Sequence, residues 1–228
     1  MPLFNNIDQD LLFLFNGSHS LFVDNLALTL TSGLTWIPLY ISLLYVVIKN
    51  NDTMKQILLA IACVMLCVII SDGVADFIIK PLVARERPSL DYALKYSLHI
   101  VNDYRGSGYS FFSAHASNTM SVAMFFSLLI RDRRLVVLMF LWSLVNCWTR
   151  LYLGVHYPSD IFVGIVWGLF TGICSYIIYL RTYLKMYPEF NYISSQYTKT
   201  GYNRNDIDVV LVVFIMSLFY CIIKALII

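Results

Sequence analysis

The sequence predicts an all-α polytopic membrane helix bundle. Of its 228 residues, 59% are hydrophobic and 13% are charged, whereas soluble domains average about 25% charged residues. The mean hydropathy is +0.70. Most of the apolar stretches approach the roughly 20 residues that an α-helix needs to cross a bilayer. They cover residues 26–48, 56–79, 113–130, 135–153, 159–180 and 207–228. About six transmembrane helices are therefore expected, in one domain over residues 1–228.

The segment ahead of the first apolar stretch is predicted to be an interfacial helix. Residues 3–16 repeat apolar side chains such as Ile7 and Leu11 at helical spacing, with polar residues between them, a pattern typical of helices that lie in the membrane surface. No secretory signal is expected, because the first basic residue is Lys49 and a signal peptide begins with a charged region. Pro38 lies inside the first apolar stretch and is predicted to kink it.

Charge and cysteine content argue against several functions. A net charge of +2 gives no reason to expect a nucleic-acid partner. The five cysteines are odd in number and lie in apolar stretches, so we expect small core residues and no disulfide framework. Cys63 and Cys67 share a helix face, but no histidine or second cysteine pair accompanies them. No metal site and no cofactor are therefore expected.

Counting helices brings the unusual polar residues to one face of the bundle. The end of the second apolar stretch, the start of the third, the end of the fourth and the start of the fifth share a side. Those positions carry, in chain order, Lys80, Arg87, Ser113, His115, Arg150, His156 and Asp160. Three cations and the free N–H groups of a helix start form an anion site that suits phosphate.

The two histidines in this cluster favour a catalytic site over a site that only binds phosphate. One imidazole can attack phosphorus while the other protonates the departing oxygen. Asp160, four residues after His156, is placed to orient the imidazole. Asp72, Asp76 and Lys80 are predicted to lie on one stripe of the second helix. We favour a role for Asp76 in neutralising and orienting Lys80 over a direct role in catalysis.

Together the motifs resemble the three-part signature of the type 2 phosphatidic acid phosphatase superfamily. The matching elements are Lys80 and Arg87-Pro88 with six residues between them, Ser113-Ala114-His115, and Arg150, His156 and Asp160 with gaps of five and three residues. The resemblance covers about residues 26–180. It implies that His156 becomes phosphorylated, that Asp160 supports it, and that His115 acts first as acid and then as base. It also implies a metal-free site, with phosphoryl oxygens held by Lys80, Arg87, Ser113, Arg150 and the backbone of Ala114.

Three features depart from the usual pattern of that family. The second motif reads Phe112-Ser113-Ala114-His115 where the family has Pro-Ser-Gly-His, and Thr149 stands in place of the serine before the third-motif arginine. Ala114 and Thr149 keep the chemical groups that the site uses, a backbone N–H and a supporting hydroxyl. The span at 207–228 lies beyond the motif-bearing core of 26–180, and we expect it to affect how a substrate enters.

The resemblance leaves several functions open. The favoured one is hydrolysis of a phosphomonoester or diphosphate of a long-chain lipid, with undecaprenyl diphosphate and the phosphates of lipid A ahead of phosphatidic acid and phosphatidylglycerophosphate. A lipid phosphotransferase would use the same phosphohistidine. A non-enzymatic phospholipid-binding or transport protein would need only the cations. Soluble vanadium-dependent haloperoxidases have a pocket that resembles this set of residues, but the apolar composition of this chain disfavours that class.

The distribution of Lys and Arg predicts the orientation in the membrane. Nine cations lie on the face opposite the site: Lys49, Lys55, Arg131, Arg133, Arg134, Arg181, Lys185, Lys199 and Arg204. Seven lie on the site face: Lys80, Arg85, Arg87, Lys95, Arg105, Arg150 and Lys224. Because cytoplasmic loops are enriched in Lys and Arg, we expect a bacterial inner-membrane protein whose site and both termini face the periplasm.

Cysteines introduced at Ser107 and Ser195 test this orientation. An impermeant thiol reagent added to intact cells should label the Ser107 variant, whereas the Ser195 variant should react only after the membrane has been opened. The reverse labelling pattern would invert the topology.

Overall fold

The computed structural model describes residues 2–16, 18, 20–186 and 196–227, with side chains from Ile7 onward, and this part of the chain is helical without any strand. The helices are α1 (Pro2–Phe15), α2 (Leu21–Thr31), α3 (Ile37–Lys49), α4 (Met54–Asp72), α5 (Lys80–Val83), α6 (Ala114–Ile130), α7 (Arg133–Tyr152), α8 (Pro158–Met186) and α9 (Arg204–Ile227). A π-helical segment, Gly73–Ile79, joins α4 to α5. The all-α class is confirmed. Ser195 lies outside the described residues.

Several helices have the length and composition of membrane spans. In the described residues, the continuous helix Met54–Val83 and the helices α7, α8 and α9 are each long and apolar enough to cross a bilayer. The pair α2 and α3 passes the same test together but is bent by 66°. Helix α6 is apolar and shorter, with 17 residues. The structure therefore supports a polytopic bundle with four or five full spans, and the count of six stays a prediction.

The first apolar stretch is kinked, as predicted, and the bend between α2 and α3 lies in the turn just ahead of Pro38. A 3₁₀ turn covers Gly33–Trp36, and Pro38 is the second residue of the new helix α3. A proline costs little there, because the N–H that it lacks has no partner in a first helical turn. The break is stabilised by the Trp36 indole, whose N–H donates to the carbonyl of Leu30 at 2.8 Å.

Helices α6 and α8 pack with their backbones almost in contact. Gly164, Gly168 and Gly172 recur every four residues along α8, and a Cβ added at any of them would lie 2.5–2.7 Å from a backbone carbonyl oxygen of the facing segment. Small residues at this spacing allow membrane helices to approach closely. The contact places the first turn of α8, with Asp160, beside the first turn of α6, with His115.

The predicted stripe on the second helix is seen in part. Nζ of Lys80 lies 2.5 Å from Oδ1 of Asp76, as predicted. The side chain of Asp72 instead accepts a hydrogen bond of 2.6 Å from Asn118 on α6. The intervening segment Gly73–Ile79 is π-helical, and Asp72 still interacts electrostatically with Asp76 and Lys80.

Helix α1, which matches the predicted interfacial segment, is docked on the site end of the bundle. Leu12 is fully buried in a cluster that also contains Leu98 and Ile161. Directly after the helix, the amide of Asn16 donates to the carbonyl oxygens of His99 and Tyr152, at 2.9 and 2.8 Å. These contacts tie α1 both to the long connection before α6 and to the end of α7.

Candidate active site

The predicted site residues come from five segments that meet at one end of the bundle. These segments are α5 with the connection after it, the start of α6, the end of α7, the turn 153–157 and the start of α8. Arg150 interacts electrostatically with Arg87, His115 and His156, so these four side chains lie within range of one another. The helix count used to group them on one face is therefore consistent with their positions.

His156 is almost completely buried, with 2% of its surface exposed. Its Nε2 lies 3.1 Å from Nη1 of Arg87. A guanidinium has no acceptor, so Arg87 donates and Nε2 carries the lone pair. The imidazole proton then lies on Nδ1, which is 3.5 Å from Oδ2 of Asp160. This separation is longer than an ordinary hydrogen bond, as is frequent for catalytic pairs in free enzymes.

The two carboxylate oxygens of Asp160, which is fully buried, have different partners. Oδ1 accepts a hydrogen bond of 2.8 Å from Nη1 of Arg85. Oδ2 accepts from the backbone N–H of Tyr157 at 2.9 Å and from the hydroxyl of Ser110, and it is also the oxygen nearest to His156. These donors offset the cost of burying a charge.

Arg87 is held by backbone carbonyl groups. Its Nε donates to the carbonyls of Ser107 and Gly108, both at 3.1 Å, and its Nη1 donates to the carbonyl of Val155 at 3.0 Å. Gly106 packs against the guanidinium so closely that a Cβ there would lie 2.5 Å from Nη1. Within the described chain no carboxylate forms an ion pair with Arg87, which leaves its charge for an anionic ligand.

Arg150 is also buried among neutral partners. Its Nη1 donates to the hydroxyl groups of Thr31 and Tyr104, at 2.8 and 2.9 Å. Its Nε is buried and makes no hydrogen bond to the residues that the structure describes. A buried guanidinium with neutral neighbours and a donor to spare is suited to binding an anion.

His115 stands in the first turn of α6. The hydroxyl of Ser113 caps this helix by accepting from the N–H of Ala116 at 3.3 Å. Nε2 of His115 lies 3.4 Å from Oδ1 of Asn146 on α7, and the amide nitrogen of Asn146 donates to the carbonyl of Trp142 at 2.8 Å. The imidazole also borders an apolar cavity of about 460 Å³ between α3, α4, α6 and α7.

Lys80 and Thr149 each have a partner of their own. Lys80 is paired with Asp76, a half-exposed side chain, and Asp76 in turn interacts electrostatically with Arg87. The hydroxyl of Thr149 donates to the carbonyl of Asn146 at 2.7 Å within α7. Phosphate binding by Lys80 and a supporting role for Thr149 stay predictions, as does the backbone contact expected from Ala114.

Three residues that the sequence analysis missed contact the predicted ones directly. Arg85 and Ser110 bind Asp160, and Tyr104 binds Arg150. The sequence contains a weak indication of Arg85, because it lies between Lys80 and Arg87 at the end of a predicted span. Ser110 and Tyr104 had none, because sequence does not show which side chains of a long connection turn inward.

The environment of His156 controls its protonation. Burial, followed by the positive charges of Arg87 and Arg150, lowers the pKa of His156 from 6.5 to about 3, although Asp160 acts in the opposite direction. Burial and the charge of Arg150 likewise lower the pKa of Arg87. At physiological pH the imidazole of His156 is therefore neutral, which is the form with an unprotonated ring nitrogen.

Comparisons with known proteins agree with the motif resemblance. The PAP2 superfamily profile matches residues 56–183. The chain is 38% identical over 175 residues to a lipid A 4′-phosphatase of Bacteroides thetaiotaomicron, in an alignment that covers 76% of this chain and 77% of that protein. It is 32% identical over 181 residues to a lipid A 4′-phosphatase of Porphyromonas gingivalis, with coverages of 76% and 73%. The crystal structure of Aquifex aeolicus LpxE shares the fold at 23% identity and a TM-score of 0.54, over 73% of this chain and 93% of that one.

The imidazole of His156 is expected to stay neutral at pH 5, where an unperturbed histidine with a pKa of about 6.5 is mostly protonated. Nitrogen-15 NMR of histidine-labelled protein, assigned with His156→Gln, should show a proton on Nδ1 and none on Nε2. Because the folded pKa lies below the unfolded one, His156 favours folding above pH 6.5, and this contribution is lost as the pH falls towards 3. A second ring proton gained between pH 6 and 7 would contradict this assignment.

The substitution Gly106→Ala should move Arg87 away from His156. The new Cβ would lie 2.5 Å from Nη1, so the guanidinium must shift and lose its alignment with a bound anion. A hydrogen bond to a charged group contributes about 1.5–3 kcal/mol, and every 1.4 kcal/mol is tenfold in affinity, so we expect vanadate binding weaker by about 10- to 100-fold by calorimetry. Gly33→Ala is the control, since nothing lies within 4 Å of its added Cβ. Equal affinities in the two variants would remove Arg87 from anion binding.

Proposed function

Because the chain belongs to the PAP2 superfamily, we propose that it is a metal-independent lipid phosphatase that works through a phosphohistidine at His156. The observation that carries this proposal is the environment of that imidazole. It is neutral and buried, its unprotonated Nε2 accepts a hydrogen bond from Arg87, and its Nδ1 faces Asp160. Nucleophilic attack on a phosphoryl group needs an unprotonated nitrogen. It also needs a nearby positive charge that no carboxylate neutralises, so that the phosphoryl oxygens can be bound.

The proposed reaction has two steps that leave the protein unchanged. First, Nε2 of His156 bonds to phosphorus, the bond from phosphorus to the ester oxygen breaks, and protonated His115 gives its proton to that oxygen. Asp160 balances the positive charge that forms on the phosphorylated imidazole. Second, His115 takes a proton from water, the water oxygen bonds to phosphorus, and the phosphorus–nitrogen bond breaks. Inorganic phosphate is released.

The cations of the site take the part that a metal ion plays in other phosphatases. Arg87 and Arg150 are fixed by neutral groups, so they can stabilise the charge that develops on the phosphoryl oxygens. The described residues contain no group of three His, Cys, Asp or Glu side chains that could hold a metal. These donors fit charge stabilisation by arginine, which needs no metal.

The surroundings of His115 favour a substrate with a long apolar tail. The cavity of about 460 Å³ that the imidazole borders is lined by apolar residues of α3 and α4, among them Leu43 and Val64. Each CH₂ group that a tail buries contributes about 0.8 kcal/mol. Tyr92 and Tyr96 in the connection before α6 are 79% and 82% exposed, which suits side chains that lie at headgroup depth.

Among the lipids considered, the phosphates of lipid A are favoured over undecaprenyl diphosphate. Both curated relatives, at 38% and 32% identity, are lipid A 4′-phosphatases. We therefore propose that the substrate is a phosphate monoester of lipid A in the outer leaflet of a bacterial inner membrane. This assignment agrees with the periplasmic orientation that the positions of Lys and Arg favour.

Replacing the two histidines should separate the two steps. His156→Gln is expected to abolish both turnover and phosphoenzyme formation with ³²P-labelled lipid A. His115→Gln should slow phosphoenzyme formation by about 10²–10⁴-fold, the usual contribution of a general acid, while lipid binding is largely kept. Label trapped on another residue would overturn the role of His156, and normal turnover without His115 would exclude it as the acid.

Narrowing the apolar cavity should affect lipid substrates selectively. Val64 lines the cavity, so Val64→Phe is expected to lower kcat/KM for lipid A phosphate by roughly tenfold, the effect of a lost hydrophobic subsite. Hydrolysis of glycerol phosphate should not change. Leu58→Phe is the matched control, because Leu58 lies on the same helix with 58% of its surface exposed. Equal losses for both substrates would show that the cavity does not hold the tail.

A further inference from the structure

Arg85, which takes no part in the chemical steps, connects the catalytic carboxylate to a second acid. Its Nη1 donates to Oδ1 of Asp160 at 2.8 Å and to the hydroxyl of Ser159 at 2.7 Å. Its Nη2 donates to Oδ2 of Asp8, in α1, at 2.7 Å. The guanidinium also lies over the ring of Tyr157, with Cζ 3.8 Å from the ring centroid. These contacts fix the side chain in one orientation.

Asp8 is at the same time a cap for the helix that carries Asp160. Its Oδ1 accepts from the backbone N–H of Ser159 at 2.9 Å, and its Oδ2 accepts from the Ser159 hydroxyl at 2.5 Å. Helix α8 begins at Pro158, so the N–H of Ser159 is one of the donors that have no partner within the helix. A carboxylate there also interacts favourably with the helix dipole.

Asp8 is buried, whereas the residues near it in α1 are exposed. Asp8 is 7% exposed, whereas Ile7 and Leu11 are 55% and 41% exposed. Asp10, on the same helix, is exposed as well. An acid turned inward from an interfacial helix costs free energy unless its partners compensate, and here both partners belong to the active site.

The contacts of Arg85 determine how the carboxylate of Asp160 is turned. Because Arg85 binds Oδ1, the other oxygen is left to face His156 and the N–H of Tyr157. Asp8 supplies a second negative charge to Arg85, so the arginine is held from both sides by carboxylates. Without Asp8, Arg85 would be free to turn towards water, and Asp160 would lose its fixed partner.

We propose that Asp8 and Arg85 are positioning residues, and that the interfacial helix α1 completes the active site through them. Asp8 holds Arg85, Arg85 holds Oδ1 of Asp160, and Asp160 thereby presents Oδ2 to Nδ1 of His156. The inference rests on the proposed function, since it assigns α1 a part in the same reaction. It predicts that a change in α1 affects the chemical step more than lipid binding.

The test compares Asp8→Asn with the matched control Asp10→Asn in the full-length protein in lipid nanodiscs. Asp8→Asn keeps the shape of the side chain and removes its charge. It should lower the rate of phosphoenzyme formation from lipid A phosphate about tenfold, as loss of an orienting partner does, with KM changed by less than about twofold. The Nδ1–H resonance of His156 should also shift. Asp10→Asn should leave the rate, KM and resonance as in the wild type.

Identical rates and resonances for Asp8→Asn and Asp10→Asn would overturn the proposal, as would a change in KM alone. If Asp8→Asn does not accumulate as folded protein, Arg85→Lys decides the question. Lysine keeps the charge but cannot bridge both carboxylates with a planar fork, so the same rate loss is expected and an unchanged rate overturns the inference. If the wild type releases no phosphate from any lipid, the proposed function fails, whereas the His156 resonance still decides whether Asp8 positions the pair.

Discussion

The buried charge of Asp160 is the constraint on which the arrangement of the site depends. An ionised carboxylate without exposed surface costs several kcal/mol unless its oxygens are bound by donors. The donors come from three places in the chain: Arg85 after α5, Ser110 before α6, and the N–H of Tyr157. The hydrogen bonds that Asp160 accepts therefore bring together the connection after α5, the start of α6 and the turn that carries His156.

The arginines of the site divide into two classes by the charge of their partners. Arg85 is bound by two carboxylates, which neutralise its charge and hold the side chain in place. Arg87 and Arg150 are bound by carbonyl and hydroxyl groups, which satisfy their donors without neutralising them. An arginine with carboxylate partners thus has a structural role, whereas an arginine with neutral partners keeps its charge available for an anion.

The sequence predicted the fold class and the motif residues because both depend on local signals. Apolar length indicates spans, and the spacing of Arg150, His156 and Asp160 is set within one helix–turn–helix segment. It predicted a kink of the first apolar stretch from Pro38, but not its form, a 3₁₀ turn in which the Trp36 indole binds the end of the preceding helix. It also missed Asp8 and its partner Arg85, because their contact joins segments that are 77 residues apart and no periodic pattern encodes such a pairing.

The length of α6 has a consequence for the membrane itself. Its 17 residues span about 26 Å, which is less than the roughly 30 Å hydrocarbon core of a typical bilayer. If α6 crosses the bilayer, its length would be accommodated by local thinning or by a position of the His115 imidazole, in the first turn, below the headgroup plane. A phosphate group bound beside His115 would then lie below the headgroups of the surrounding lipid.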